Sequence, residues 1–444
     1  MINGYDIAWG ALLGLSAPAW AMSPKARRKV RRALAERMGK GVRREGDGPA
    51  VLIHAVSLGE MDATRSLVRE LAAARPDLRF VVSTTTDTGY DRGRQLYGAD
   101  RNVMLIRYPL DFSRAVGRVL DGVRPDVVVL MELEVWPNFL LQCERRGIPV
   151  VLVNGRLTPS SYRNYRLGRP LVAKMFRRLR KVCAQEETYA RHFIDLGAPP
   201  GRVSVTGTMK FDTAPASDAV AGANELAEAV GLRAGGERVW VCGSTGPGEE
   251  PVVLEVYQRL REHFPDLRLV LVPRKPERFD EVAAEVLRAG LPLVRRSQPG
   301  TVLAEEGIGR TRADSPVVLG DTTGELLKFY SLADVVFVGR TLADLGPRQR
   351  GSNMIEPAAL ARPFVVGPFT HNFTEPMRCF ERADAVRVVR DGEELLATVR
   401  RLLQSPGEAA EMGKRAQAVV NRERGATARH AKIILEQFDA KGVA

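Results

Sequence analysis

Carboxylates stand directly after two short apolar runs in the first half of the chain. Residues 51–56 read Val-Leu-Ile-His-Ala-Val and are broken by Ser57-Leu58-Gly59 before Glu60. Residues 127–131 are followed at once by Glu132-Leu133-Glu134-Val135-Trp136-Pro137-Asn138. Such runs predict parallel strands buried on both faces. A carboxylate at a strand's carboxyl end lies where open α/β sheets bind ligands. Glu60 also opens a segment with Leu67, Val68 and Leu71 at helical spacing. The helix dipole favours its ionised form, which suits a general base. A capping glutamate on the first helical turn would occupy the same position. Glu132 and Glu134 can shift each other's pKa, and a solvated loop position accounts for at least one of them. Thr84-Thr85-Thr86-Asp87-Thr88 follows another run. Its hydroxyls and amides suit sugar hydroxyls or a phosphate, and ordinary capping explains them equally well.

The second half offers groups for an anion. Gly243-Ser244-Thr245-Gly246-Pro247-Gly248 is a glycine-rich turn after a strand, but neither GxGxxG nor GxxxxGK[ST]. Pro273-Arg274-Lys275-Pro276 places cations after the next strand. Gly351-Ser352-Asn353-Met354-Ile355-Glu356 leads into a helix whose free amides suit a phosphate, with Glu356 available to ribose hydroxyls. Together they outline a mononucleotide site without metal ligands.

These groups need two α/β frames. Apolar runs at 80–83, 127–131, 150–153, 182–184 and 203–205 alternate with helical patterns, which predicts a parallel sheet covered on both faces. A second series has strands at 239–242, 269–272, 317–319, 335–338 and 364–366, then a helical tail over 393–438 broken at Gly407. Residues 211–236 change character, rich in Ala, Gly and Pro. The expected organisation is a membrane anchor with a basic juxtamembrane segment over 1–35, an acceptor domain over 48–212, a linker over 213–236 and a donor domain with terminal helices over 237–444. Two such halves predict a cleft between sheets.

A chain of 444 residues, 45% hydrophobic, can bury more than one core. Its four cysteines form no CxxC pair and its five histidines show no metal-ligand spacing, which suits a reducing compartment. The net charge of +13 favours anionic partners, and without an aromatic-rich basic stretch these are phosphates and membrane rather than nucleic acid. Residues 7–22 are mostly apolar, with Trp9 and Trp20 near the ends, followed by Lys25, Arg27, Arg28, Lys29, Arg31 and Arg32. That order suits an N-terminal anchor on the cytoplasmic face of an anionic inner membrane, spanning it or lying on it.

Motifs across nearly the whole chain resemble the 3-deoxy-D-manno-octulosonic acid (Kdo) transferases, which add Kdo to a lipid A precursor. They are His54-Ala55-Val56-Ser57-Leu58-Gly59-Glu60, Tyr108-Pro109-Leu110-Asp111, the Glu132–Asn138 stretch, Asn154-Gly155-Arg156-Leu157, and Thr206-Gly207-Thr208-Met209-Lys210-Phe211-Asp212. Pro273-Arg274-Lys275-Pro276-Glu277-Arg278-Phe279, Gly320-Asp321-Thr322-Thr323-Gly324-Glu325-Leu326 and Asn353-Met354-Ile355-Glu356-Pro357-Ala358 complete the set. The resemblance implies a GT-B fold of two Rossmann-like domains and inverting, metal-independent transfer from CMP-Kdo to a phosphorylated glycolipid. Glu60 matches the catalytic base, and Glu132 and Glu134 the second acidic site. Ser244, Thr245, Arg274, Lys275, Gly351, Ser352, Asn353 and Glu356 fall on the donor side. Ser57, Gly59, Thr85, Thr86 and Arg156 fall on the acceptor side. The family has His where this chain has Gly246 or Pro247, His for Lys275, and Gly-His-Asn for Gly351-Ser352-Asn353. The alternatives are another nucleotide sugar on a glycolipid, or a non-catalytic glycolipid-binding relative.

Overall fold

The computed structural model describes residues 3–21, 33–214, 220–232, 236–303, 315–346 and 351–439. The basic cluster from Lys25 to Arg32 lies outside them. The chain forms two compact units, Met1–Thr213 with Arg424–Ala444, and Ala214–Glu423.

The first unit is built on strands β1 (Ala50–His54), β2 (Arg79–Thr84), β3 (Val103–Arg107), β4 (Val127–Met131), β5 (Val150–Gly155), β6 (Lys181–Ala184) and β7 (Val203–Val205). Their order is β3-β2-β1-β4-β5-β6-β7, every pair parallel. Both faces are buried, as the unbroken apolar runs require. Leu52, Val81, Val128 and Leu152 enter one core, and Val51, Ile53, Val82 and Val129 the other. All carboxyl ends therefore share one edge. Strand β3 escaped the sequence reading because it is an edge strand whose first three residues are only half-buried.

The second unit holds β8 (Arg238–Thr245), β9 (Leu267–Pro273), β10 (Leu293–Arg295), β11 (Val302–Leu303), β12 (Val317–Leu319), β13 (Val335–Val338), β14 (Phe364–Val366) and β15 (Arg387–Val388). The order is β11-β10-β12-β9-β8-β13-β14-β15, with only β10 and β11 antiparallel.

The expected donor domain over 237–444 needs correction at its end. The helix Ala426–Asp439 returns to the first unit, where Ala426, Ala431 and Ile434 share a core with Val51, Ile53 and Leu67. Periodicity gives an amphipathic helix but not the sheet it covers. Five contacts fix it. Asp212 accepts from the amides of Gly425 and Thr427, at 2.7 and 2.6 Å, and from the Thr427 hydroxyl at 2.6 Å. His430 Nε2 accepts from the Asn154 amide at 3.0 Å and lies 3.0 Å from Thr206 Oγ1. Gly407 is not the tail's break: it lies inside the helix Pro406–Glu423, and the chain breaks at Ser405 and at Gly425, whose φ is 86°.

The N-terminal helix is Gly4–Ala21, and among the described residues no helix is long and apolar enough to cross a membrane. Its first turn is fastened to the first unit. Asp6 is buried and accepts from the Ser113 amide at 2.7 Å and from Asn138 Nδ2 at 2.9 Å.

Candidate functional site

Glu60 sits where the run β1 ends. The helix Leu58–Ala74 begins two residues before it, with Ser57 as its cap. Ser57 Oγ accepts from the Glu60 amide at 3.2 Å, and Glu60 returns the bond through Oε1 to the Ser57 amide at 3.3 Å. Oε2 accepts from the Val56 amide at 3.0 Å. The capping role is therefore real. Each carboxylate oxygen accepts one of these bonds and keeps a further lone pair, so the cap orients a base without consuming it. Ser57 and Gly59 beside it are exposed, and a methyl group built on Gly59 meets no atom within 4 Å.

Glu134 is brought to the same place by the β1–β4 register, which sets His54 beside Leu130. Its Oε2 accepts from Trp136 Nε1 at 3.2 Å and lies 3.9 Å from His54 Nε2. Burial first, and then the charge of Glu60, raise its carboxyl above the usual range, while the indole bond opposes them. The charge of Glu60 thus disfavours ionisation of Glu134. His54 is fully buried and stacks on Tyr108 with ring centroids 3.7 Å apart. Burial pushes its pKa down to about 3, so the ring is neutral. Nδ1 lies 3.1 Å from the Ser83 carbonyl, which can only accept, so Nδ1 carries the proton and Nε2 presents a lone pair. Glu132 takes a left-handed backbone, φ 52°, and its amide donates to the Val153 carbonyl at 3.0 Å. The charge of Glu60 acts on Glu134.

The remaining acceptor-side candidates divide. Thr86 Oγ1 caps the helix Asp87–Tyr97 by accepting from Gly89 N at 3.0 Å and donates to the Val56 carbonyl at 2.9 Å, tying two strand ends together. Thr85 presents its carbonyl to the Arg37 guanidinium, and Arg156, half-buried, directly follows β5. Thr86 is positional, whereas Thr85 and Arg156 retain partly open side chains.

In the second unit, three loops carry the donor-side candidates. Ser244, with φ 57°, and Thr245 are the last two residues of β8, and Ser352 Oγ donates to the Ser244 carbonyl at 3.3 Å. Gly351, with φ 90°, donates its amide to the Arg340 carbonyl at 2.7 Å. The Arg274 amide donates to the Thr245 carbonyl at 3.0 Å, leaving its side chain and that of Lys275 exposed. Asn353 Nδ2 donates to Glu356 Oε1 at 3.0 Å, and its Oδ1 accepts from the Ile355 amide at 3.2 Å. Burial raises the Glu356 carboxyl against the Asn353 bond and the Arg274 charge.

Two amides of the donor-side turns are used by the protein itself. One is Ile355, taken by Asn353. The other is Gly246, whose amide donates to Glu249 Oε2 at 2.9 Å. Glu249 was not foreseen. Fully buried, it also accepts from the amides of Arg340, Thr341 and Leu342 at 2.6, 2.8 and 2.8 Å. Burial raises its carboxyl and these four donors oppose that rise. One side chain thereby locks the 244–248 turn to the 339–342 loop. The signal available was an acidic residue on a glycine-rich turn, which resembles an ordinary cap.

Residues 32–213 match a family profile described as 3-deoxy-D-manno-octulosonic-acid transferase (kdotransferase). A 3-deoxy-D-manno-octulosonic acid transferase of Haemophilus influenzae is 31% identical over 403 residues, 90% of each chain. One from Bordetella pertussis is 34% identical over 385 residues, 85% of each. A crystal structure of a glycosyltransferase from Rickettsia africae superposes with a TM-score of 0.56 at 11% identity, covering 88% of this chain and 99% of that one. This last likeness concerns the fold, which is the α/β, GT-B-like fold with parallel sheets.

Proposed function

Because the chain belongs to the 3-deoxy-D-manno-octulosonic acid transferase family, we propose that it moves Kdo from CMP-Kdo to a hydroxyl of a lipid A precursor, inverting the anomeric centre without a metal. The observation that carries the chemistry is the pair Glu60 and Glu134 at the carboxyl ends of adjacent strands. Glu60, held by two backbone amides, takes the proton of the acceptor hydroxyl as that oxygen attacks the anomeric carbon. Glu134, whose carboxyl pKa is pushed up by burial and the Glu60 charge, stands beside the base to hydrogen-bond the acceptor. Cytidylate departs from the opposite face, and the Arg274 guanidinium opposes the charge that grows on its phosphate. Mass spectrometry of a lipid A precursor incubated with CMP-Kdo and the protein tests this directly, the expected product being one or more Kdo units heavier. An unmodified precursor under turnover conditions would sink it.

The donor-side departures at Gly246, Lys275 and Ser352 favour one second reading, a different nucleotide sugar on a glycolipid. A panel of CMP- and UDP-sugars separates the two.

The proposed setting is the cytoplasmic face of an anionic inner membrane. Ile7 and Leu15 on the N-terminal helix are 68% and 83% exposed, which supports a helix lying in the headgroup region. Co-sedimentation with anionic vesicles should be lost in a chain lacking residues 1–24, and retention of full binding would refute the assignment.

A further inference from the structure

Arg340, like Ser244, is a donor-side residue other than Gly held in a left-handed backbone. Its φ is 59°, in the left-handed region where a residue other than Gly is strained. Both of its backbone groups are engaged, the amide by Glu249 and the carbonyl by Gly351, so the strained geometry is held from two sides. The side chain is half-buried, and its Nε is shielded from solvent without a hydrogen-bond partner. Among the described residues no carboxylate forms an ion pair with Arg340 or with Arg274. Burial and then the charge of Arg274 hold its guanidinium below the ordinary value, so two cations act on one another here. Thr245 Oγ1 and the Tyr330 hydroxyl are also buried without partners, and the charges of Glu356 and Arg274 reach that tyrosine. Buried polar atoms left unpaired next to two guanidinium groups that make no ion pair, and that feel only the more distant charges of Glu249 and Glu356, describe a cradle for an anion.

The position of Arg340 also explains a neighbour. A Cβ built on Gly246 would lie 2.9 Å from Arg340 Cγ and 2.6 Å from Leu345 Cδ1. The arginine stem and the Leu345 side chain together fill the space that a side chain at 246 would need.

We propose that Arg340 is a donor-binding residue, which grips an anionic oxygen of the nucleotide sugar together with Arg274 and takes the place of a side chain at position 246. This rests on the CMP-sugar reading above. The donor offers two such groups, the phosphate of the cytidylate and the carboxylate of the sugar acid, and a guanidinium fits either.

The test begins with Arg340→Gly, which removes the guanidinium and relieves the left-handed backbone. Its Tm is expected to hold or rise, while the donor KM climbs about tenfold or more, as expected for a lost charge-assisted bond. Arg340→Lys should restore only part of the loss, since a point charge lacks the fork. If CMP affinity falls in parallel, the phosphate is the bound group; if CMP binds as before and only the donor KM rises, it is the carboxylate. A second arm places His at 246. Gly246→His is expected to lose donor binding through collision with Arg340 and Leu345. Unchanged donor KM and CMP affinity in Arg340→Gly overturn the proposal, as does a Gly246→His variant that behaves as wild type. A wild-type chain that neither transfers Kdo nor binds CMP overturns the parent reading as well, which keeps the two failures apart.

Discussion

Nε2 of His54 lies 3.9 Å from Oε2 of Glu134, beyond hydrogen-bond distance. A neutral imidazole there brings no positive charge that would hold the carboxyl group ionised. The groups facing Glu134 are His54 from β1, Trp136 from its own loop, and Glu60 from the following helix. Of these only Glu60 carries a charge of the same sign.

The Trp136 indole makes that titration visible. With Nε1 bonded to Glu134, its fluorescence should change as the carboxyl ionises, with an apparent pKa above the ordinary glutamate value of about 4.3. In Glu60→Gln the midpoint should fall, because one cause of the rise is gone. Subtracting the Trp136→Phe protein removes the signals of the other three tryptophans. Identical midpoints with and without the Glu60 charge would break the proposed coupling.

Glu60 has two jobs, and two variants separate them. Ser57→Ala removes half of the capping box and should cost about 1 kcal/mol of stability while turnover stays close to wild type. Glu60→Gln should cost a similar amount and also slow transfer roughly 10²- to 10⁴-fold, the usual worth of a general base. CMP binding should survive in both. Equal loss of turnover in the two variants would mean that the carboxylate matters only as a cap.

Much of this site could be read from residue order because its supports are local. The runs that became β1 and β4 are apolar on both faces, and the spacing Ser57-Leu58-Gly59-Glu60 already contains the capping box. The His54–Glu134 contact could not be read, since it depends on the parallel register that sets His54 beside Leu130. The same limit applies to the tail, where the pattern of Ala426–Asp439 specifies a helix but not the Asn154, Thr206 and Asp212 partners that hold it. Arg340 was invisible for another reason. Its role follows from a left-handed φ and from the space beside Gly246, neither of which is encoded in charge or spacing.

Glu249→Gln tests the lock between the donor-side loops. The carboxylate accepts four backbone N–H bonds, and an amide offers only one accepting oxygen, turning its NH₂ towards the remaining donors. Leaving buried donors unpaired should cost about 2–4 kcal/mol, read as a lower melting temperature of the chain. CMP affinity should fall with it, since Ser244, Thr245 and Arg340 lose their fixed register. A variant with the wild-type melting curve would show that the loops are held by other means.

His430 gives the clearest pH dependence. Burial holds it at about 4, with a backbone bond to Ala426 opposing, against an ordinary value of 6.5. A lowered folded-state value means that the unfolded chain binds the proton more readily. Its contribution is therefore complete above pH 6.5 and is lost as pH falls through the window from 6.5 to about 4. At about 1.4 kcal/mol per pH unit, the loss across that window is on the order of 3 kcal/mol. His54, lowered to about 3, adds to it in the same direction. The physical event is the loss of the Nε2 lone pair, which accepts from the Asn154 amide and holds the returning helix on the first unit. His430→Gln keeps an accepting oxygen and removes the titration. It should be less stable than wild type near pH 7.5, through imperfect fit, yet lose less between pH 6.5 and 4.5 in urea midpoints. Parallel stability profiles for the two proteins would show that His430 is not the proton-linked group.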